Sequence, residues 1–593
     1  MTTSVPAGTT PGDYDKAPTI DLPTGHRVWS GRETWGRIAE LLHDGGHRTL
    51  AVDTYPGSDL VGLRRELEAA VPDALLIDVE QAAALPPADI EALIAPNLTD
   101  DRVFGVLGHQ VLADLYDTDR LEAVAASIGA ADRPVVVYGW GATLVPTTFD
   151  TVVLADLARW EIQRRQRAGA PNWRADNGDE DQLRKVKRGY FVEWRIADRH
   201  KRTLFDRIDA VLDANGGMAT AKLIGADTFL AGLEVASRRP FRVVPFFDPG
   251  VWGGQWMKEV LDVGDASNYA WCFDCVPEEN SLLLCVDGTT VEIPALDLVF
   301  RHPRELLGEK THARFGAEFP IRFDFLDTMA GGNLSLQVHP LTDYMQNVFG
   351  MPYTQDESYY LLDAADDAVV YLGLREDTDP AAMARALRRA AAGEDQFDVP
   401  AYVTAFPAAK HDHFLIPAGT VHCSGADSMV LEISATPYIF TFKMWDWGRV
   451  GLDGVPRPVH LDHALANIQW DRDTAFAERE LVGQVEQVAS GDGWVEERTG
   501  LHALEFIEVR RHWFDGTVPH DTRGTVNVLN LVEGAEAVVE SPTGAFAPFV
   551  VHYAETFIVP AAVGPYTIRP WGRATGQRCG TVKASVRGTA VGD

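Results

Sequence analysis

Leu334-Ser335-Leu336-Gln337-Val338-His339-Pro340 reads as a β-strand. Gln337 and His339 lie two residues apart, which on a strand sends both side chains to one face. An amide oxygen beside an imidazole nitrogen is half of a metal site. Zinc accepts such a pair once a carboxylate and a second imidazole complete it. Taken alone, a Gln-x-His on a strand is more often an ordinary polar face, so the reading turns on whether the chain supplies the missing donors.

Two later stretches supply them. Glu357 heads the aromatic and aliphatic run Glu357-Ser358-Tyr359-Tyr360-Leu361-Leu362, a place where a carboxylate needs a partner or a cation. In Phe414-Leu415-Ile416-Pro417-Ala418-Gly419-Thr420-Val421-His422 a strand enters a Pro-Ala-Gly turn, and His422 opens the strand after it. Gln337, His339, Glu357 and His422 are thus one amide, one carboxylate and two imidazoles, a workable set for zinc with solvent in an open position.

The surrounding chain has 593 residues, enough for two to four domains. Its hydrophobic content of 46%, with 15 Trp and 26 Phe, is ample for packed cores. A formal charge of -33 argues against nucleic acid or an anionic membrane as partner, since both favour a basic surface. No apolar run approaches the roughly 20 residues of a membrane helix. Residues 1–25 are rich in Thr, Pro and Gly and read as a disordered tail rather than a signal peptide. Five cysteines suit a reducing cytoplasm, and the lone pair Cys272 and Cys275 reads as buried thiols.

The fold class expected is multidomain, an α/β layer followed by all-β units. From 26 to 150, amphipathic helices (33–44, 60–71) alternate with short apolar strands (48–52, 74–79, 103–107, 134–138), the rhythm of an α/β layer with a partly parallel sheet. The turn Thr54-Tyr55-Pro56-Gly57-Ser58-Asp59 stands where a phosphate loop would be but has no Lys after Gly57, so triphosphate binding lacks a physical basis there. The region resembles small-molecule P-loop kinases that have lost that loop. From about 151 to 215 the chain changes character and basic residues cluster, among them Arg159, Arg164, Arg165, Lys185, Lys187, Arg188 and Lys201. A solvated helical face is the favoured reading, an anion site the other. A helix over 224–236 closes this 26–240 domain. Short strands with Pro and Gly between them fill 241–457, with one helical insertion at 380–392, and imply a jelly roll. An acidic connector is expected over 458–499 and a second β unit over 500–593.

Several stretches resemble the class I (type I) mannose-6-phosphate isomerases, the phosphomannose isomerases. Val251-Trp252-Gly253-Gly254 is similar to the family's W-G-G motif, and Phe319-Pro320-Ile321-Arg322-Phe323 with Leu326-Asp327 to the strand before its metal motif. The 334–340 stretch is similar to L-S-x-Q-V-H-P, Glu357 falls at a metal-binding Glu, and Pro417-Ala418-Gly419-Thr420-Val421-His422 is similar to P-A-G-T-x-H. Phe442-Lys443-Met444-Trp445-Asp446-Trp447-Gly448-Arg449 resembles Y-R-x-Y-D-W-x-R. The resemblance covers about 245–455 well, 500–593 loosely and 1–240 not at all. It implies a cupin-type jelly roll, one zinc on Gln337, His339, Glu357 and His422, and interconversion of mannose 6-phosphate and fructose 6-phosphate through a cis-enediol. It also points to Lys443 and Glu432 for proton transfer or enediolate stabilisation, to Arg449 behind them, and to Ser335 and Lys410 as substrate contacts.

Three positions depart from the family. Asp324 and Gln355 stand where it usually has Lys, and Lys443 where it has Arg. A carboxylate in place of a Lys repels a phosphate dianion. Either other cations compensate, with Arg322, Lys410 and the basic cluster as candidates, or the substrate is an unphosphorylated sugar. A non-catalytic sugar-binding protein that keeps the metal site is the third reading.

Overall fold

A computed structural model describes residues 5–435, 440–500, 502 and 505–588. It divides into two units. One comprises Thr19–Ala236 and Glu278–Arg301; the other comprises Met1–Pro18, Ser237–Pro277 and His302–Asp593.

In the first unit the β-branched runs Thr49–Thr54, Val135–Gly139 and Thr151–Asp156 are almost continuously buried. Continuous rather than alternating burial is the mark of a parallel sheet covered on both faces. With Leu75–Asp78 and Ala210–Asp213 they form a parallel core. Numbered along the chain, its five strands lie in the order 2-3-1-4-5. Lys222–Gly225 and Val28–Ser30 extend one edge antiparallel. Residues 278–301, expected in the β region, instead give this unit a small sheet in which Ser281–Val286 pairs with Thr19–Asp21 and Thr289–Pro294.

Two other expectations fail here. Residues 103–107 form no strand, because side chains take over the backbone groups a ladder would use. Asp101 Oδ1 accepts from the amides of Val103 and Phe104, and Asn97 Nδ2 donates to the carbonyls of Val106 and Leu107. The basic cluster is a solvated face only in part: Arg164, Arg167 and Arg202 are exposed, while Arg159, Lys185, Lys187, Arg188 and Lys201 are buried. Lys201 is buried between Asp156 (2.9 Å) and Asp297 (2.8 Å). Arg159 is buried on Asp198, and Arg188 on Glu193. Lys185 Nζ donates to the carbonyls of Gln166 and Gly178. These cations are internal struts, paired as buried charges must be.

A buried acid in this unit gives a stability test. Glu80 Oε1 accepts from the Trp140 amide at 2.9 Å, and burial, helped by Asp78, pushes its carboxyl up to about 7 from 4.5. Between those values the native state holds a proton that the unfolded chain releases. Stability from this group is therefore full below about 4.5 and is lost as pH rises to about 7. Glu80→Gln keeps the acceptor and removes the titration. Relative to wild type it is expected to gain up to about 3 kcal/mol between pH 5 and pH 8, read by denaturant melts of both proteins. Identical pH dependence in the two would refute the assignment.

In the second unit the leading segment is not a free tail over its described residues. Tyr14 is buried, donates to Asp274, and lies under the Arg242 guanidinium, 4.6 Å from its ring centre. An aromatic anchor within a Pro- and Gly-rich stretch is enough to fix it.

The stretches carrying Gln337, His339, Glu357 and His422 lie in a pair of antiparallel sheets. One runs His413–Ile416, Glu357–Ala364, Ser428–Ala435, Ile321–Asp327, Trp271–Cys275 and Phe246–Asp248 in space; the other runs Val403–Pro407, Val369–Leu374, His422–Ser424, Leu336–Val338 and Phe442–Trp445. Cys272 and Cys275 are buried free thiols, held in the neutral form by burial and by Asp274. A second pair of sheets closes over Phe514, Leu529, Leu531, Val539, Phe557 and Ile568.

The connector expected over 458–499 is helical only in part, at Leu461–Asn467 and Thr474–Glu480. Glu486–Gly491 and Trp494–Arg498 are strands of the second pair of sheets. Their acidic residues face arginines on Ile507–Phe514, as in Glu496 with Arg510 (3.0 Å) and Glu497 with Arg511 (2.7 Å). Cross-strand charge pairing makes a strand of a stretch whose composition reads as a linker.

Candidate metal centre

Register brings the predicted donors together. Glu357 lies opposite Ser434, which lies opposite Arg322; on the next rung Tyr359, Glu432 and Asp324 are aligned. Opposed residues share a face, so Arg322, Asp324, Glu357 and Glu432 all point the same way. In the other sheet His422 lies opposite Gln337, and Gln337 opposite Lys443.

The side chains converge. Glu357 has His339 Nε2 at 3.1 Å from one oxygen and His422 Nε2 at 2.9 Å from the other, and all three are buried. One donor atom from each lies within 4.8 Å of the others. The Gln337 amide stands 3.2 Å from His422 Nε2; a half-turn of that amide presents its oxygen instead. The Nδ1 atoms of His339 and His422 face the carbonyls of Phe440 (3.1 Å) and Thr420 (2.8 Å). A carbonyl only accepts, so each Nδ1 carries the proton and each Nε2 offers a lone pair inward, the tautomer a metal requires.

The electrostatics agree with a cation at this place. Burial alone would raise Glu357, yet His339 and His422 hold it well below the usual carboxylate range; burial would lower His339, yet Glu357 raises it. His339 Nε2 and Glu357 Oε1 are buried and lack a well-directed hydrogen bond among the described residues. Burial and Glu357 push Glu432 well above the usual range, and burial raises Asp324 against the pull of Arg322. With Glu432 protonated, Glu357 and Asp324 still outnumber the one guanidinium, a negative surplus that favours a cation. The donor set therefore fits a metal of the zinc type.

The turn that delivers His422 is tightly built. Gly419 has φ +87, and a Cβ there would meet Asn467 O at 2.9 Å and Gln469 Cγ at 2.8 Å. Its amide donates to His339 O. Arg472 Nη1 donates to Pro417 O, Ala418 O and Thr420 Oγ1, and Asp356 Oδ1 accepts from the Ala418 amide. Arg472 and Asp356 escape sequence reading because nothing local marks them. The Trp-Gly-Gly and Leu-Asp motifs are one contact: a Cβ on Gly254 would lie 2.1 Å from Asp327 Oδ1, while Asp327 Oδ2 accepts from the Met257 amide.

The remaining predicted residues take different places. Lys443 shares the Gln337 rung, and Ser335 is buried just before it. Glu432 Oε1 lies 3.4 Å from both Gln355 Nε2 and Arg322 Nη2. Gln355 Nε2 also donates to Glu357 at 2.9 Å. Arg449 is bound to Asp446, which also takes Arg457 at 3.0 Å. Lys410 is turned to Glu533 (2.8 Å) and to the Tyr553 ring, away from the ligand set.

A family model described as a domain of unknown function (DUF8485) matches residues 34–238. The chain is 25% identical over 229 residues to the probable mannose-6-phosphate isomerase GmuF of Bacillus subtilis, covering 38% of this chain and 67% of that protein. It is 26% identical over 218 residues to the mannose-6-phosphate isomerase of Streptococcus mutans, covering 36% and 63%. The crystal structure of the mannose 6-phosphate isomerase from Bacillus subtilis superposes with a TM-score of 0.48 at 17% identity, over 58% of this chain and 99% of that one. The matches thus span about two thirds of the curated relatives' length. With the Q-V-H-P and P-A-G-T-x-H motifs converging on Glu357, the chain is similar over its second unit to mannose-6-phosphate isomerases and carries an N-terminal α/β unit outside that similarity.

Proposed function

We propose that this protein is a zinc-dependent aldose–ketose isomerase that interconverts mannose 6-phosphate and fructose 6-phosphate through a cis-enediol. The observation that carries the reading is Glu357 clasped between two imidazoles whose Nδ1 protons are fixed by carbonyls. Gln337, His339, Glu357 and His422 would hold a divalent ion, which would supply Lewis acidity toward the sugar's oxygens. Glu432, pushed up by burial and Glu357, keeps a proton in the interior and suits protonation of an enediol carbon or oxygen. Lys443, on the Gln337 rung, is the cationic group for the developing negative charge.

The phosphate end is the harder half. Arg322 is engaged by Asp324 and Glu432, Lys410 by Glu533, Lys201 and Arg159 of the basic cluster by acids of their own unit, and Lys185 by carbonyls. Arg449 and Arg457 share the single carboxylate of Asp446, which leaves positive charge over, and they are our choice for the phosphate. The neutralised Arg322 favours the second reading, an isomerase of the unphosphorylated sugar. A coupled assay on mannose 6-phosphate and on mannose separates the two. Turnover of the phosphate that stops with chelator is expected. Metal-replete protein that converts only mannose would establish the second reading, and one that converts neither sinks both.

For the α/β unit we infer a scaffold resembling small-molecule kinases without their phosphate loop. The parallel order 2-3-1-4-5 supports the scaffold. At the start of Leu60–Ala70 the Asp59 carboxylate accepts from the Gly62 amide at 2.8 Å, placing negative charge where a phosphate would dock.

A further inference from the structure

The second pair of sheets has polar residues at its mouth that the isomerase reading does not use. Along each strand one face runs from the apolar cluster outward: Phe514, His512, Arg510; Cys579, Thr581, Lys583; Val518, His520. Their outer ends line a cavity of about 460 Å³. His520 is 7% exposed, and neither ring nitrogen has a hydrogen-bond partner among the described residues. Its ring is held by stacking on Tyr566 (4.9 Å between centres) and by the edge of His512 (4.5 Å). Tyr566 in turn donates to Asn527, so the ring's position is fixed while its nitrogens stay unused.

Charge at this mouth is inverted relative to the whole chain. The lining carries five basic and three acidic side chains in a protein of net charge -33. Two of the three acids are already engaged: Glu496 and Glu508 by Arg510 (3.0 and 3.4 Å), Glu496 also by His512 (3.3 Å), and Glu508 by Arg587 (2.7 Å). Lys583 makes no direct hydrogen bond or salt bridge among the described residues, and feels Glu496 and Glu508 only through space. A fixed, unpartnered imidazole and an unpaired ammonium facing one cavity are what natural interiors avoid unless a ligand meets them.

We propose that this mouth binds a small phosphate monoester, with Lys583 and His520 taking the phosphate and the carboxylates of Glu496 and Asp521 accepting from the hydroxyls of its organic part. The cavity is larger than an inorganic ion requires. Arg510, Arg498 and Arg587 have their forks on glutamates, so the inward donors Lys583 and His520 are single-point donors, which suit a tetrahedral oxyanion better than a planar carboxylate. Burial lowers Lys583 to about 8 and, with His512 and Lys583 beside it, holds His520 well below its ordinary value. An anion reverses both shifts, so binding takes up protons.

Calorimetric titration of the full chain with inorganic phosphate and with glycerol 3-phosphate tests this. The titrations are run in wild type and in His339→Ala, which disables the ligand set described above. Binding is expected in both, tighter for the ester, with Lys583→Met weakening it at least about tenfold and Lys583→Arg retaining it. No binding up to about 10 mM, or unchanged affinity in Lys583→Met, overturns the proposal. A readout on unmutated protein decides the matter if Lys583→Met does not fold. Acylation of Lys583 at pH 8, followed by peptide mass, is expected to slow several-fold when phosphate is present, and an unchanged rate overturns the site.

Discussion

His339→Ala is expected to lower kcat/KM for mannose 6-phosphate by about 10³-fold or more and to abolish stoichiometric zinc. The argument rests on what remains. Without the imidazole, Glu357 keeps His422 at 2.9 Å and loses the partner at 3.1 Å on its other oxygen. It is then a buried carboxylate with half of its compensation, and a three-donor set has replaced a four-donor one. The void and the orphaned Phe440 carbonyl add a folding cost of about 1–3 kcal/mol. That cost is modest for a chain this size, so lost activity and lost fold are separable by circular dichroism. Linkage offers a second measurement. A metal that binds only the native state raises stability by RT ln(1 + [L]/Kd), so chelation should destabilise wild type and leave His339→Ala unmoved. Full turnover by metal-free His339→Ala would remove the metal from the proposed function altogether.

The grouping of His339, Glu357 and His422 was legible because its signals are local and two-periodic. Gln337 and His339 share a face by spacing alone, and a Glu heading an apolar strand is anomalous without its partners. The rungs that align Glu357 with Arg322 and Glu432 with Asp324 depend on register between strands about a hundred residues apart, which spacing does not encode. The same limit explains the basic cluster. Lys201 reads as one solvated cation among many until Asp156 and Asp297, distant in the chain, close around it. Composition misled in both directions. Thr, Pro and Gly before residue 25 concealed the Tyr14 anchor, and the acidic 486–498 stretch concealed two strands whose partners are arginines. Arg472 and Asp356, which hold the turn carrying His422, have no sequence signature because they act mainly on backbone groups of a turn distant in the chain.

Arg322→Met should be the most destabilising single change at the site, by about 3–5 kcal/mol, because it breaks a buried pair from one side only. Arg322 donates to Asp324 through Nε at 2.6 Å and again through Nη2, and the same Nη2 reaches Glu432 at 3.4 Å. Methionine fills similar volume and leaves two carboxylates without their counter-charge. Those acids then keep their protons to higher pH in the native state, so the penalty is small near pH 4, where the unfolded chain is also protonated, and grows toward pH 8. Arg322→Lys restores charge without the planar fork and should recover only part of the loss. Removing the acid as well, in Arg322→Met with Asp324→Leu, should recover stability relative to the single variant, since a buried pair exchanged for apolar side chains is often neutral. A coupling energy above about 2 kcal/mol in that cycle is expected. Additive losses, or a deficit independent of pH, would mean that Arg322 serves packing and that Asp324 is balanced from elsewhere. The substitution at the family's usual lysine position would then again point to an uncharged sugar terminus.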